Sequence, residues 1–348
     1  MKTSLSINHE GYVRQLVKLA AFILLATPVF AQTYTITDLG TLGANTRGSY
    51  SIAYCINSSG QVAGESSAPS SQRSDPAFLY SNGQLINIGT LGGEYGQPRG
   101  INTAGQIAGY STLATGSYRA FLYTGGQMIN IGTLGADYSV AYALNNSGQV
   151  VGNSAHLGGQ DHAFLYSNGQ MTDLGTLGGD TSNAYSINNL GVIAGYSYNS
   201  SGDFLGFIYQ NSTMTPLGTL GGSWSIAYAI NDQNQIAGQA YTRGNRAAHA
   251  FRLSAGQMVD LGSLGGSSSW GFAINNSGTV VGSATTRRND YHAFISSNGG
   301  RMQDLNRLIP TNTGWVLAEA HAINDLGQIA GYGTIRGQTH AFLLTPVP

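Results

Sequence analysis

The chain has 348 residues, of which 15 are Lys or Arg and 16 are Asp or Glu, so charged residues make up only 9% of it. This scarcity of charge excludes a charged coiled coil, a polyelectrolyte tail and a basic nucleic-acid binder. The 50 Gly, with only 8 Pro and 41% hydrophobic residues, exclude collagen and general disorder and favour a folded protein rich in turns and strands, because Gly is costly inside helices.

Residues 1–31 have the pattern of a secretory signal peptide. Three basic residues precede an apolar run from Leu19 to Phe30, and Val29 and Ala31 are the small residues that a signal peptidase requires before Gln32. The run is too short to span a bilayer stably. We therefore expect an exported protein, extracellular or periplasmic, with no stable membrane span after cleavage and a single domain of residues 32–348.

Seven copies of one segment follow this leader. The copy from His162 to Ser197 reads HAFLYSNGQMTDLGTLGGDTSNAYSINNLGVIAGYS, and its Phe recurs at spacings of 43, 43, 43, 44, 43 and 48 residues. Such a period is typical of propeller blades, which use about 40–50 residues for four strands. The repeated Phe and the repeated Asn of the seven copies are Phe78, Phe121, Phe164, Phe207, Phe251, Phe294 and Phe342, and Asn57, Asn102, Asn145, Asn188, Asn231, Asn275 and Asn324.

Each copy divides into four short strands, named a to d. In one copy, strand c is His162–Tyr166, strand d is Met171–Gly175, strand a is Ala184–Asn188 and strand b is Val192–Ser197. Asn- and Gly-containing turns separate a from b and c from d, as antiparallel hairpins require. No stretch has a helical period, so the sequence predicts an all-β fold.

The two ends of the repeated region complement each other. A lone strand d occupies Tyr34–Gly40, and a last strand c, His340–Leu344, has no strand d after it. A ring in which the N-terminal strand completes the last blade leaves no unpaired edge. The sequence thus predicts a seven-bladed β-propeller of four-stranded blades, closed in this way.

Four copies have His two residues before the repeated Phe, and these copies also have Asp in the next strand d. We expect each pair to be a structural hydrogen bond that satisfies two polar groups, and not a catalytic or metal site. If Gly169 and its equivalents form a bulge, the two side chains lie on opposite faces and the pairing is indirect. The pairs are His162 with Asp173, His249 with Asp260, His292 with Asp304 and, only if the ring closes, His340 with Asp38.

Cys55 is the only cysteine, so no internal disulfide can form. Other copies hold Ala at the equivalent position, which indicates a small buried side chain.

The HAF triplets, the INNxGQVVG-like segments and the DLGTLGG runs recur in fixed order from Tyr34 to Leu344. Together they resemble the HAF-type extracellular repeat family. The resemblance implies an exported bacterial protein with a propeller-like repeat fold and carries no shared activity. Some members end in a PEP-type sorting tail, and this sequence stops at Pro348 where such a tail would start, which favours a released or periplasmic protein.

The tight turns are nearly uniform, whereas the connections from strand b to strand c differ in almost every copy. Rigid folds carry recognition on diverse loops, so this loop face is the predicted binding face. Aromatic residues near the start of strand a suit stacking against sugar rings, although they could instead cover the gaps between blades. These residues are Tyr50, Tyr95, Tyr138, Trp224 and Trp270.

Two connections from strand d to strand a are longer than the others, and in a closed ring they flank the last blade. The raised rim they would form is the preferred ligand site, against the alternative that longer loops only accommodate the closure. Its candidate residues are Arg47, Tyr50, Arg307, Asn312, Trp315 and Glu319.

The sequence contains no HExxH, P-loop, GxSxG or CxxC motif, and its turns offer too few carboxylates for calcium. We therefore expect no cofactor, no metal and no nucleic-acid partner. The leading hypothesis is an exported, non-catalytic module that binds a carbohydrate or a surface polymer. The alternative is a polysaccharide hydrolase or lyase at the mouth of the central channel, which would use a pair among Glu65, Asp75, Glu94 and Glu319.

Overall fold

Antiparallel strands and tight turns account for most of the computed structural model, which describes residues 33–43, 48–68 and 74–348. The predicted signal peptide and Arg47 lie outside the described residues. Besides strands, the described part contains two short 3-10 helices, Arg243–Asn245 and Leu305–Arg307. None of its helices has the length and apolar character needed to cross a membrane.

The described residues form 28 strands, most of them four to ten residues long. In chain order they are β1 Tyr34–Asp38, β2 Ser51–Ile56, β3 Val62–Ser66, β4 Ala77–Ser81, β5 Gln84–Gly89, β6 Gly92–Ile101, β7 Ile107–Leu113, β8 Tyr118–Thr124, β9 Gln127–Asn130, β10 Gly135–Leu144, β11 Val150–His156, β12 Asp161–Ser167, β13 Gln170–Asp173, β14 Gly178–Ile187, β15 Ile193–Asn199, β16 Phe204–Gln210, β17 Thr213–Pro216, β18 Gly221–Ile230, β19 Ile236–Thr242, β20 Ala248–Ser254, β21 Gln257–Asp260, β22 Gly265–Ile274, β23 Val280–Thr286, β24 Tyr291–Ser296, β25 Gln303–Asp304, β26 Trp315–Ile323, β27 Ile329–Ile335 and β28 Gln338–Pro346.

The strands pair into antiparallel four-stranded units in the predicted order a, b, c, d. Five units are separate sheets, and two are joined into one eight-stranded sheet by a single parallel bridge between Ala248 and Ser268. We number the units by their strands: unit I is β2–β5, unit II is β6–β9, unit III is β10–β13, unit IV is β14–β17, unit V is β18–β21, unit VI is β22–β25, and unit VII is β26–β28 with β1. The all-β prediction is confirmed.

Strand β1 supplies the d position of unit VII. It pairs antiparallel with β28 from Tyr34 opposite Pro346 to Asp38 opposite Phe342. A single apolar cluster contains Ala53 and Phe78 of unit I together with Ala341 of unit VII. The two ends of the described chain therefore share both a strand pairing and a core.

Serine side chains at the start of strand a connect five of the seven units to the unit before them; the five are Ser51, Ser139, Ser182, Ser225 and Ser269. Ser182 Oγ accepts a hydrogen bond from Ala163 N at 2.9 Å and donates to Gly175 O at 2.6 Å. Ser51 Oγ does the same with Ala341 N at 2.9 Å and Gly40 O at 2.6 Å. Unit VII is thus linked to unit I by the contact that also links unit III to unit IV.

The repeated Asn side chains make a second series of links. Asn145 Oδ1 accepts from Ser147 N and Gln149 N in its own turn, while its Nδ2 donates to Asn188 O at 3.2 Å. Equivalent donations, between 2.8 and 3.2 Å, run from Asn57 to Asn102, Asn102 to Asn145, Asn188 to Asn231, Asn231 to Asn275, Asn275 to Asn324 and Asn324 to Asn57.

Each repeated Phe is fully buried and lies opposite a strand-b glycine. Phe164 pairs with Gly152, which pairs on its other side with Ala141. A Cβ at Gly152 would lie 1.9 Å from Val140 O and 2.9 Å from the Phe164 ring. Only glycine therefore allows the backbone of strand a and the Phe ring to approach strand b this closely.

Strand a carries a β-bulge in every unit. In β14, Ala184 pairs with Gly195 and Ser186 with Ala194, so Tyr185 is the extra residue. The bulge falls three residues before the repeated Asn in the other units as well. A bulge turns its extra side chain away from the regular alternation of the strand, so each unit presents one side chain at the same place.

Candidate functional site

The seven bulge residues lie next to one another and form what we call the bulge circle. They are Tyr54, Arg99, Tyr142, Tyr185, Tyr228, Phe272 and His321.

Each member of the bulge circle contacts the next. Between ring centroids the distances are 4.8 Å for Tyr142 and Tyr185, 5.5 Å for Tyr185 and Tyr228, 5.8 Å for Tyr228 and Phe272, 5.4 Å for Phe272 and His321, and 5.1 Å for His321 and Tyr54. The Arg99 guanidinium carbon lies 4.7 Å from the ring centre of Tyr54 and 5.8 Å from that of Tyr142. The series returns to its first member, so six rings and one guanidinium form a continuous set of contacts.

The bulge circle encloses a cavity of about 510 Å³, here called the circle cavity. Ile52, Glu319 and Tyr332 complete its lining on the side toward the start of strand a. On the other side, the repeated Asn residues line a separate pocket of about 330 Å³. The circle cavity is of a size that small ligands occupy, and its lining combines aromatic rings with tyrosine hydroxyls and the side chains of Arg99, Glu319 and His321.

Phenol groups of the bulge circle are uncharged at neutral pH. Burial raises the pKa of Tyr54, Tyr142, Tyr185 and Tyr228 above that of an exposed tyrosine. For Tyr54, the carboxylate of Glu65 raises the pKa further. The rings therefore offer apolar faces and hydroxyl groups to a ligand, without negative charge.

Glu319 and His321 form a polar pair in the circle cavity. His321 Nδ1 lies 3.0 Å from Ala53 O, and Nε2 lies 2.8 Å from Glu319 Oε2. Because a carbonyl oxygen only accepts hydrogen bonds, Nδ1 carries a proton, and the second hydrogen bond places another proton between the ring and the carboxylate. The pair is therefore tied through His321 to the backbone of strand a in unit I.

A second polar group surrounds Glu65, which is 5% exposed. Its carboxylate accepts from the Tyr54 hydroxyl at 3.1 Å and from Gln97 Nε2 at 2.7 Å. Gln97 Oε1 accepts in turn from the Tyr110 hydroxyl at 2.5 Å. The Glu65 carboxylate is therefore hydrogen-bonded within the protein and holds Tyr54 in position.

Tyr95 and Tyr138, two predicted ligand residues, line a smaller cavity of about 250 Å³, here called the tyrosine cavity. Tyr110, Tyr118 and Tyr142 contribute its other rings. Tyr142 also belongs to the circle cavity, so the two cavities meet at this residue. Tyr118 is 39% exposed, which leaves an aromatic surface open at the tyrosine cavity.

The remaining predicted aromatics lie in separate places. Trp224 stacks on Phe204 at 5.1 Å, and Trp270 lies 5.8 Å from Tyr291. Burial and the carboxylates of Glu65 and Asp75 raise the pKa of Tyr50. These rings surround the start of strand a in different units and do not share one pocket.

The rim residues that the structure describes do not come together, and this part of the prediction is wrong for Trp315. That ring is 9% exposed and packs 6.2 Å from Phe342 within the core of unit VII. Arg307 lies in another pocket, of about 1040 Å³, with Arg287, Arg288 and Arg301. Asn312 is exposed, and of the rim residues only Glu319 faces the circle cavity.

All four predicted His–Asp pairs are direct hydrogen bonds. His162 Nδ1 lies 2.8 Å from Asp173 Oδ2, and His340 Nδ1 lies 2.9 Å from Asp38 Oδ1. The pairs of His249 with Asp260 and of His292 with Asp304 have distances of 2.9 and 2.8 Å. Each pair stands apart in its own unit, and the described residues contain no group of three or more metal-ligating side chains.

The bulge circle itself was missed in the sequence, although a signal was present. Three residues before each repeated Asn, the chain holds four Tyr, one Phe, one Arg and one His. Aromatic residues at one fixed position in a repeat indicate a shared surface, but regular strand alternation gives no reason for that position to face its equivalents. The β-bulge is what brings these seven side chains together, because it turns the extra residue of each strand a away from the regular alternation.

No protein-family model and no curated protein sequence matches this chain. Several solved structures do match this chain in fold. A peptidase from Mycobacterium tuberculosis that hydrolyses puromycin has a TM-score of 0.55 and 10% identity, covering 82% of this chain and 49% of that chain. The β-propeller domain of the Trilobed protease from Pyrococcus furiosus has a TM-score of 0.51 and 12% identity, covering 79% and 96%. TolB from Acinetobacter baumannii has a TM-score of 0.49 and 15% identity, covering 73% and 62%.

These likenesses concern the fold alone. The chain spans less than two thirds of the length of TolB and about half the length of the M. tuberculosis peptidase. With its four-stranded antiparallel units, the chain has a β-propeller fold.

Proposed function

We propose that this protein is an exported, non-catalytic binding module, built as a seven-bladed propeller closed by β1, that binds a saccharide in the circle cavity. The observation that carries the proposal is the bulge circle, a band of six aromatic rings and one guanidinium around a cavity of about 510 Å³. Aromatic faces with nearby hydroxyl, carboxyl and imidazole groups suit a sugar ring, which has apolar faces and a polar edge.

Three sets of contacts support closure by β1. The β1–β28 pairing gives the last unit its fourth strand. The hydrogen bonds of Ser51 repeat the link that serines make at four other junctions between units. The side-chain amide of Asn324 donates to Asn57 O as the other repeated Asn residues donate to their neighbours. In such a ring, the bulge residues line the central channel.

Two features support entry of the ligand from the loop face. The circle cavity extends toward the start of strand a, where the connections from b to c and from d to a are found. The tyrosine cavity adjoins it there and exposes Tyr118. The ligand site of this proposal therefore lies deeper than the rim predicted from the sequence.

Binding is tested by screening the folded protein on a glycan array and measuring the affinities of the best ligands by calorimetry. Tyr142→Ala removes the ring shared by the two cavities and is expected to weaken binding by at least about fivefold, since one stacked ring contributes about 1–3 kcal/mol. Tyr166→Ala is the matched control, because Tyr166 packs on the core cluster of unit III away from both cavities. Equal loss in both variants, or no glycan ligand, contradicts the proposal.

One observation favours a polysaccharide hydrolase or lyase as a second candidate. The Glu319–His321 pair can donate and accept a proton inside the circle cavity. The test is whether the protein releases reducing ends from the glycans that it binds. If it does, and if Glu319→Gln abolishes this release, the protein is a polysaccharide-cleaving enzyme and not a non-catalytic module.

A further inference from the structure

We propose that the ligand of the circle cavity carries a carboxylate, as a uronic acid does, and that Arg99 binds it. This inference rests on the proposed function and specifies its ligand.

Arg99 is the one cation of the bulge circle that is charged at every physiological pH. It is the extra residue of the bulge in β6, between Pro98 and Gly100. Its guanidinium is held between the rings of Tyr54 and Tyr142. The bulge and the two rings fix the cation at the wall of the circle cavity.

No group of the described residues neutralises this cation by contact. Within the described ranges, no carboxylate lies at ion-pair distance from Arg99, and its buried Nε has no hydrogen-bond partner. The two nearest candidates are engaged elsewhere, Glu65 with Tyr54 and Gln97, and Glu319 with His321. The faces of Tyr54 and Tyr142 offset part of the free-energy cost of burying this guanidinium, and an anion that reaches it would offset more.

The fold does not require a cation at this position. Units III, IV and V have Tyr142, Tyr185 and Tyr228 there, and these rings continue the same series of contacts. Arg99 therefore replaces a ring that would fit at lower cost in desolvation, which points to a role in binding.

The chemistry of the cavity selects the anion. A guanidinium presents a planar set of N–H groups that matches a carboxylate with two parallel hydrogen bonds. The aromatic faces on either side of Arg99 are suited to a sugar ring and offer little to a small inorganic anion. A uronate combines both features in one unit.

Calorimetry with three probes tests the inference: trigalacturonic acid, its methyl ester, and inorganic phosphate. The wild-type protein is expected to bind the acid at least about tenfold more tightly than the ester, which has the same rings without the charge, and to bind phosphate weakly. Arg99→Tyr copies the residue of units III to V. It should keep or raise the melting temperature and bring the affinity for the acid down to that for the ester.

Arg288→Gln is the control, because Arg288 belongs to the separate arginine-lined pocket. Binding of the acid that depends on Arg288 and not on Arg99 overturns the inference. Equal affinity for the acid and the ester also overturns the inference. The proposed saccharide binding still stands in that case if Tyr142→Ala weakens the binding of both probes. Phosphate binding as tight as that of the acid would also overturn the inference, since the saccharide would then contribute nothing. If neither saccharide binds, the inference fails, and the glycan array alone decides on the proposed function.

Discussion

The side-chain amide of Asn324 donates a hydrogen bond of 3.0 Å to the backbone oxygen of Asn57, 267 residues earlier in the chain. The same side chain accepts from Leu326 N and Gln328 N in its own turn. One buried amide therefore shapes a hairpin turn and joins two units that are far apart in sequence.

Asn324→Ala is expected to lower the free energy of unfolding by about 1–3 kcal/mol, because buried backbone groups lose their partners. Asn324→Asp should cost at least as much, since it keeps the turn acceptor but places a carboxylate against the carbonyl oxygen of Asn57. Urea denaturation measures both. The exposed Asn312→Ala is the control, and an equal effect at positions 312 and 324 would contradict the role given to this hydrogen bond.

Gly152→Ala tests the close approach of strands a and b. The new Cβ would lie 1.9 Å from Val140 O, and we expect a loss of about 3 kcal/mol or more, or failure to fold. Gly158→Ala is the matched control, because its nearest atom, His156 Nδ1, lies at an ordinary 3.5 Å. Circular dichroism melts of the two variants give the comparison. Similar melting temperatures in the two variants would contradict the prediction, because they would show that the backbone around position 152 moves to accommodate the new Cβ.

The His–Asp pairs predict a dependence of stability on pH. Burial alone would raise the pKa of Asp260, but hydrogen bonds from His249 and from Gly262 N outweigh it, so the pKa is lowered. A carboxyl whose pKa is lower in the folded state stabilises the fold fully above its unfolded pKa of about 4, and this contribution is lost as the pH falls through the folded value.

Asp260→Asn should therefore destabilise the protein at pH 7 and differ less from the wild type at pH 3. Denaturation midpoints at the two pH values measure the effect. Asp180→Asn, at an exposed carboxyl, is the control. The argument is refuted if the difference in denaturation midpoint between the wild type and Asp260→Asn is larger at pH 3 than at pH 7.

A disulfide between positions 35 and 345 tests the pairing of β1 with β28. Thr35 lies opposite Thr345, so Thr35→Cys with Thr345→Cys should oxidise spontaneously and raise the unfolding free energy by about 2–5 kcal/mol. Both cysteine variants are made in a Cys55→Ala background, which removes the only native thiol. Four other units have Ala at this position, and burial raises the pKa of the Cys55 thiol to about 12.

Electrophoresis without reductant reports the crosslink. Thr35→Cys with Thr339→Cys is the control, since Thr339 lies six residues along β28, about 20 Å away. Crosslinking that is no faster in the first variant than in the second would rule out this register.

Much of the fold follows from the repeat. Strand order within each unit, the Asn–Gly turns and the all-β class were predictable because hydrophobic alternation and turn residues act locally. The start of strand a was not predictable in the same way. The sequence placed it at Ala184, but β14 begins at Gly178, which pairs with Asn199. The Gly-rich run has the composition of a connection, and pairing with strand b makes it strand.

The candidate site was less predictable than the fold. Tyr95 and Tyr138, chosen for their fixed spacing before the repeated Asn, line the tyrosine cavity, and Glu319, chosen for its place after a long connection, lines the circle cavity; their role as ligand residues stays a prediction. Trp315 was misplaced, since an unusual residue in a long connection can fill a core as readily as line a rim. Arg99 and His321 could not be assigned, because their meeting depends on a bulge that shifts the alternation of strand a and on contacts between different units.

The pairing of β1 with β28 has a consequence for biogenesis. These strands are separated by almost the whole chain, with Thr35 bonded to a residue 310 positions away, so the polypeptide cannot finish its last sheet before its C-terminal strand has left the ribosome. Contacts of such sequence separation form late and slowly. For the export proposed above, a nascent chain that stays incompletely folded for this long would remain competent for threading through a secretion pore.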